Sequence, residues 1–276
     1  MACNKYFTGG NKIVPQVIWQ EYIEGKQTYE QLAERYCCSK RTIQRKIDLY
    51  EPPSPSKQPR IVIVLMDTTY WGRNFGVMLF KDSVSKENLL KYYVKTETNL
   101  LYQQGVGELK SRGYTVQAIV CDGRRGLLSS FGGIPVQMCQ FHQSAIIRRY
   151  ITKNPRLPAA IELKEVVKLM PNTDKESFEG ALNAWFVNWG DFLDERTTSK
   201  ETGKSFYTHK RLRSAHRSLK TNLKWLFTWY DNIELGIPNT TNAIDGHFAD
   251  LKNKLRNHNG LSIRRKMKFI DEFLKA

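Results

Sequence analysis

Arg60-Ile61-Val62-Ile63-Val64-Leu65-Met66-Asp67-Thr68 is an unbroken apolar run, rich in branched side chains, that ends on a carboxylate. A strand with one wet face alternates apolar and polar residues, whereas a continuous run marks a strand covered on both faces. The stretch therefore predicts an α/β fold with Asp67 at the end of a buried strand. Outward from it, Trp71 to Phe80 and Lys91 to Lys95 read as further strands and Asn99 to Arg112 as a helix. Val116 to Val120 reads as a strand that delivers Cys121 and Asp122 into the loop Gly123-Arg124-Arg125-Gly126. From about Gln143 to Tyr230 the patterns are mostly helical and carry Trp185, Trp189, Trp225 and Trp229, which read as core because large aromatics dominate burial. Pro238-Asn239-Thr240-Thr241 then introduces a last long amphipathic helix, and no internal repeat or low-complexity tract interrupts the chain.

Toward the N-terminus, Glu51 to Pro59 (EPPSPSKQP) is too proline-dense for helix or compact turn and reads as an extended spacer, hence a domain boundary. Before it, helices are expected at 15 to 24, 28 to 36 and 39 to 49, the second opened by a Thr28/Gln31 capping box and the third by Ser39. These lengths, with the tight turn Tyr36-Cys37-Cys38-Ser39, are those of a helix-turn-helix unit. Its third helix would expose Lys40, Arg41, Gln44, Arg45 and Lys46, a set that supplies phosphate contacts and base-edge donors for a major groove. The plainer reading is a helical hairpin with a solvated basic face.

Composition narrows the partners. Lys and Arg number 43 against 27 Asp and Glu, a formal charge of +16, which calls for a polyanion. Nucleic acid leads, since the basic residues are interleaved with aromatics through the whole chain, and an anionic membrane surface is the weaker alternative. The longest strongly apolar run, Ile61 to Met66, is far below the roughly 20 residues of a membrane span, and no signal peptide opens the chain, so a soluble intracellular protein is expected. Cys3, Cys37, Cys38, Cys121 and Cys139 form an odd set without framework spacing, which suits reduced thiols.

Asp67 and Asp122 each end a strand, and neighbouring strand ends bring side chains to one sheet edge. Asp245 falls near the start of the last long helix, flanking its apolar stripe of Ile244, Phe248, Leu251 and Leu255. Three converging carboxylates repel one another unless a hard cation neutralises them, so they would make a two-metal site for Mg²⁺ or Mn²⁺. Singly, each is as readily a cap or a solvated charge.

The surrounding motifs carry more. Cys121-Asp122-Gly123-Arg124-Arg125-Gly126-Leu127, followed by Pro135-Val136-Gln137-Met138-Cys139-Gln140-Phe141-His142, resembles the Mutator-like superfamily of DDE transposases, whose second aspartate precedes a C-x-x-H element. Ile237 to Leu261 (IPNTTNAIDGHFADLKNKLRNHNGL) is similar to the stretch bearing that family's third acid, and by order of motifs the resemblance runs from residue 15 to 276. It implies an RNase H-like fold over 60–276 with a helical insertion at about 143–230, and Asp67, Asp122 and Asp245 as the three metal-binding acids, with Asp67 bridging two ions. It implies phosphoryl transfer on double-stranded DNA, at element terminal repeats and at a target, by a bacterial insertion-sequence transposase. One metal would activate water or a freed 3′-hydroxyl and the other would stabilise the leaving oxygen. It further implies a homodimer or larger assembly, a cytoplasmic, nucleoid-associated location, His142 acting beside the metals, and Cys139 packing behind it. Arg124, Arg125 and Lys252 flank the acids and would hold DNA phosphates.

Two departures stand out. The family's third acid is normally Glu, and Asp245 is one methylene shorter. Residues 1–14 resemble the end of a zinc ribbon, but Cys3 alone cannot assemble four ligands, and Cys139 and His142 lack a second pair, so no zinc is expected. A catalytically impaired DNA-binding regulator, or a decayed element copy, is accordingly the alternative reading, and a general nuclease of the same fold is a third.

Overall fold

The computed structural model describes residues 14–51, 58–258 and 260–275. The zinc-ribbon remnant expected over residues 1–14, Cys3 included, lies outside them except for Val14, as does most of the proline-rich spacer. In chain order the elements are α1 (Pro15–Ile23), α2 (Tyr29–Arg35), α3 (Lys40–Leu49), β1 (Ile61–Tyr70), β2 (Gly76–Asp82), β3 (Asn88–Val94), α4 (Asn99–Ser111), β4 (Thr115–Cys121) and β5 (Val136–Met138). They continue with α5 (Gln140–Ile151), α6 (Pro158–Leu169), α7 (Lys175–Asp194), β6 (Arg196–Thr198), β7 (Ser205–Tyr207), α8 (Lys210–Leu226), α9 (Thr228–Asp231), α10 (Asn242–Arg256) and α11 (Ile263–Leu274). No helix of the described residues is long and apolar enough to cross a membrane. The chain forms two compact units: one holds α1 to α3 with the chain from His247 onward, the other the sheet and the helices up to Gly246.

The larger unit is α/β. Its five-stranded mixed sheet has the order β3-β2-β1-β4-β5. β1, β2 and β3 form an antiparallel meander, whereas β4 runs parallel to β1 and β5 parallel to β4. The run that opened the sequence reading is the middle strand, with Val62 to Met66 all buried, as an unbroken apolar stretch requires. Helix α4 packs so closely on the sheet that a Cβ at Gly105 would lie 2.0 Å from Phe80 Cζ. Trp185 is buried, Trp189 and Trp225 pack half-buried against the core, and Trp229 is also half-buried.

The structure departs from the sequence reading at several elements. Trp71 to Phe75 is a turn, closed by Trp71 N–H donating to the Phe75 carbonyl at 2.8 Å, so β2 begins only at Gly76. Three-residue β5 and the exposed β6/β7 hairpin were not predicted, because neither is long enough to show a period. At the far end of β2, Asp82 is buried yet well supplied with donors. Ser85 Oγ (2.7 Å), Val84 N–H (3.2 Å), Ser85 N–H (3.3 Å) and Arg60 Nη2 (3.0 Å) all reach it. Burial would raise its pKa, but these bonds together hold it below the usual carboxylate range.

In the smaller unit, Thr28 and Gln31 form a reciprocal capping box and Ser39 caps α3. Ile18, Trp19, Leu32, Ile43 and Ile47 fill the interior of the three helices. The separation of residues 15–50 from 60–276 does not hold at the C-terminus, and α10 is not the last helix. Phe269, Ile270 and Leu274 of α11 are buried, and α11 is tied to α3 by polar contacts. Arg265 grips Asp48 with two bonds of 2.9 and 2.8 Å, while Lys268 Nζ donates to the terminal carbonyls of Ile47 and Asp48 at 2.9 and 2.8 Å. These carbonyls lie in the last turn of α3, where the helix dipole favours a cation, and the Ile47 carbonyl also accepts from Tyr50 N–H at 3.3 Å.

Candidate metal centre

The register sets the level of the first two acids. Leu65 pairs with Val120 in the parallel ladder, so Asp67 and Asp122, each two residues further on, fall at one level. β4 ends at Cys121, but β1 runs on to Tyr70 against β2, so Asp67 is not the strand end that the sequence suggested. The third group arrives through a buried corner. Cys139, directly after β5, donates its N–H to the Cys121 carbonyl at 2.8 Å, and Gln140 donates its own to Asn239 at 2.9 Å. Thr241 then donates from both its backbone N–H and its Oγ1 to Cys139 Sγ, each at 3.3 Å. Chain segment 239–241 is thereby moored where α5 begins, and α10 starts beside it.

Further buried bonds stiffen the same corner. Gln137 and Gln140 both donate to the Leu226 carbonyl at 2.9 Å, and Thr228 Oγ1 donates to the Val136 carbonyl at 2.8 Å. Buried hydrogen bonds of this kind favour one arrangement, although Gln140 Oε1 lacks a partner among the described residues.

On this scaffold Asp67, His142 and Asp245 each offer a ligand atom, and these atoms lie within 4.8 Å of one another. All three side chains are half-buried. Two ligands of one Mg²⁺ at about 2.1 Å each lie up to about 4.2 Å apart, so the group is close to the span of a single coordination sphere. Asp122 is outside it. Its Oδ1 accepts from Arg124 N–H at 3.2 Å, although its charge still acts on Asp67. The described donors therefore suit one ion directly, and a second would depend on Asp122.

The electrostatics are those of acids lacking sufficient donors. Asp67 accepts a bond from Thr68 N–H at 2.8 Å, and its pKa is raised to about 7. Burial is the main cause; His142 and the Thr68 bond oppose it, while Asp245 and Asp122 add to it. The His142 pKa is raised to about 9, first by the Cys139 thiol beside the ring and then by Asp67 and Asp245, against the effect of burial. Its buried Nδ1 makes no hydrogen bond of regular geometry among the described residues. Burial would raise the Cys139 thiol, but His142 and Thr241 together bring it below its ordinary value. Two carboxylates and one His142 imidazole nitrogen, the latter once its proton is released, form a donor set that suits a divalent cation. Oxygen donors favour Mg²⁺ or Mn²⁺, and the imidazole shifts the preference toward Mn²⁺.

The sequence reading missed Glu97. Its Oε1 accepts from Tyr102 Oη at 2.7 Å, and Tyr102 Oη lies 2.9 Å from Thr68 Oγ1, beside Asp67. Arg124 belongs to the same assembly. It donates to the Glu97 carbonyl and to Asn99 Oδ1, both at 2.9 Å, and lies 3.7 Å from the Glu97 carboxylate. Arg124 is thus a brace of the loop after β4 more than a free phosphate contact, while Arg125 is exposed. Lys252, on α10, is half-buried. On α3, Lys40, Arg41 and Arg45 are exposed, Gln44 and Lys46 are half-buried, and Lys40 pairs with Glu30 of α2. Comparison with protein-family models and with curated proteins returns no match.

Proposed function

We propose that the chain is a metal-dependent DNA strand-transfer enzyme, a DDE-type transposase of an insertion sequence built on an RNase H-like fold. The observation that carries the reading is the meeting of Asp67 and Asp245 within one 4.8 Å group, at the edge where Asp122 ends the neighbouring strand. The strand order β3-β2-β1-β4-β5, with β2 antiparallel to β3 and β1 while β1, β4 and β5 run parallel, is compatible with that fold.

Asp67 and Asp245 would hold the divalent cation, with Asp122 as the further carboxylate for a second. The cations would supply activation of a water or 3′-hydroxyl and relief of charge on the leaving oxygen. His142, cationic at neutral pH, is suited to contact the scissile phosphate. Asp67, with a pKa near neutrality, releases its proton when it binds a cation. Helix α3 offers the basic face for end recognition, and joining two ends calls for a homodimer or larger assembly.

A second reading has an observation of its own. Asp122 lies outside the ligand group, and Asp245 is shorter than a glutamate, which favours a DNA-binding regulator that no longer turns over. The test is cleavage and joining of DNA carrying the element's flanking ends, with Mg²⁺ or Mn²⁺, for this chain and for Asp67→Asn. Metal-dependent nicking at the ends that disappears in the variant supports the transposase. End-specific binding without cleavage by the unaltered chain supports the regulator instead.

A further inference from the structure

The catalytic reading leaves unused the most basic element of the chain. Helix α8 carries Lys210, Arg211, Arg213, Arg217, Lys220 and Lys224 with no Asp or Glu among them. At 100° per residue, Lys210, Arg213, Arg217, Lys220 and Lys224 fall within about 80° of arc. The opposite face buries Leu212, Ala215, Leu219, Leu223 and Leu226. Like charges three and four residues apart repel, and solvated helices ordinarily mix signs along a face. This stripe therefore costs stability in the free protein, a cost that a polyanion would remove.

The stripe also lines a groove of about 520 Å³. One wall is Phe186 stacked on His216, with ring centroids 4.6 Å apart and planes 7° apart. The other is Tyr207 of β7, whose ring is covered by two guanidiniums, Arg213 at 3.7 Å and Arg196 at 4.4 Å from its centroid. Arg213 is also bonded to Asp194 and to the Leu193 carbonyl, so it anchors the groove. Lys210, Arg217 and Lys220 are exposed, and among the described residues no carboxylate pairs with them.

We infer that this face of α8 is a second DNA contact, one that holds the phosphate backbone of a duplex independently of sequence. Lys210 to Lys220 spans about 15 Å along the helix axis. Over that length one strand of B-form DNA presents about four phosphates, so the exposed cations and the phosphate row are commensurate. Phosphate contacts fix position and carry no base information, which separates this face from α3. The inference rests on the reading of the chain as a DNA-acting protein.

The test is binding of the full chain to a duplex of arbitrary sequence over a range of salt, for the unaltered protein and for Arg217→Gln/Lys220→Gln. The double variant is expected to bind on the order of tenfold more weakly at physiological salt and to lower the slope of log K against log salt by about 2. The loss should be the same for every duplex, with circular dichroism unchanged and binding restored by Arg217→Lys/Lys220→Arg. Unchanged affinity and slope in the double Gln variant would overturn the α8 contact while leaving the proposed function standing. Failure of the unaltered chain to bind any duplex would overturn both. Variant-sensitive binding to phosphatidylserine vesicles in place of DNA would reassign the face to a membrane.

Discussion

Two aspartates of adjacent antiparallel strands, Asp82 buried and Asp67 half-buried, meet opposite fates. Asp82, at the end of β2, receives bonds from Ser85, Val84 and Arg60, and its carboxyl is held below the ordinary range. Asp67, near the end of β1, accepts from Thr68 N–H, faces Asp245 and Asp122, and is pushed up to about 7. A buried anion is tolerable when donors replace its water and costly when they do not. Asp82 is thus complete as it stands. Asp67 is built for a charge that the protein's own donors do not supply, which separates a structural carboxylate from a functional one more sharply than burial does.

The largest expected contrast comes from paired amides. Asp67→Asn should reduce metal-dependent strand cleavage to background while leaving the metal-free melting temperature at pH 8 unchanged or higher. Asp82→Asn should do the reverse, costing about 1–3 kcal/mol in denaturant unfolding because charged bonds to Arg60 and Ser85 are weakened, with Mn²⁺ affinity intact. A destabilised Asp67→Asn protein would break the comparison.

The pH dependence sharpens it. Asp67 has a folded pKa of about 7 against about 3.9 unfolded. Its contribution to stability is therefore present below about pH 3.9 and lost as pH rises toward 7. His142, raised to about 9, acts with the same sign: its contribution is present below about 6.5 and lost as pH rises through 9. Asp82, with a depressed pKa, contributes above about pH 3.9 and loses that contribution as pH falls. Melting in the presence of a chelator should fall between pH 5 and 8, less steeply in Asp67→Asn and with unchanged slope in Asp82→Asn. A flat profile in the unaltered chain would refute the assignment.

The smallest effect expected is at the mooring. Thr241→Val removes the Oγ1 that lies 3.3 Å from both Cys139 Sγ and Asp245 Oδ2 and shares its one proton between them. Mn²⁺ affinity measured by calorimetry should drop roughly tenfold, the lower end for a group that orients a ligand. An unchanged affinity would mean that Asp245 is positioned by α10 alone.

The sequence displayed the central strand, the three N-terminal helices and their caps, because continuous apolarity and capping chemistry are local signals. It displayed Asp67, Asp122 and Asp245 singly, and left the meeting of Asp67 with Asp245, and the nearness of Asp122, to a resemblance. That convergence depends on the register Leu65 to Val120 and on the bonds of Cys139 to Cys121 and Thr241, all long-range. Glu97 was invisible for a related reason, since it lies in a polar loop and acquires its setting only from Tyr102 and Arg124. The turn at Trp71 to Phe75 carried a signal in Gly72, whose φ is +77°, but two aromatics made the segment look extended. Helix α11 went unread because its apolar residues share the chain with a dense run of Arg and Lys.

The pairing of Asp48 with Arg265, 217 residues apart, fixes an order of events at the ribosome. Helices α1 to α3 are made well before α11, and the core they share with it cannot close until residues 263–274 emerge. At roughly 5–20 residues per second, that is a wait of roughly 10–40 s. A transcript cut short before Phe269 would therefore yield a protein whose first three helices lack part of their core, however complete the sheet that follows them.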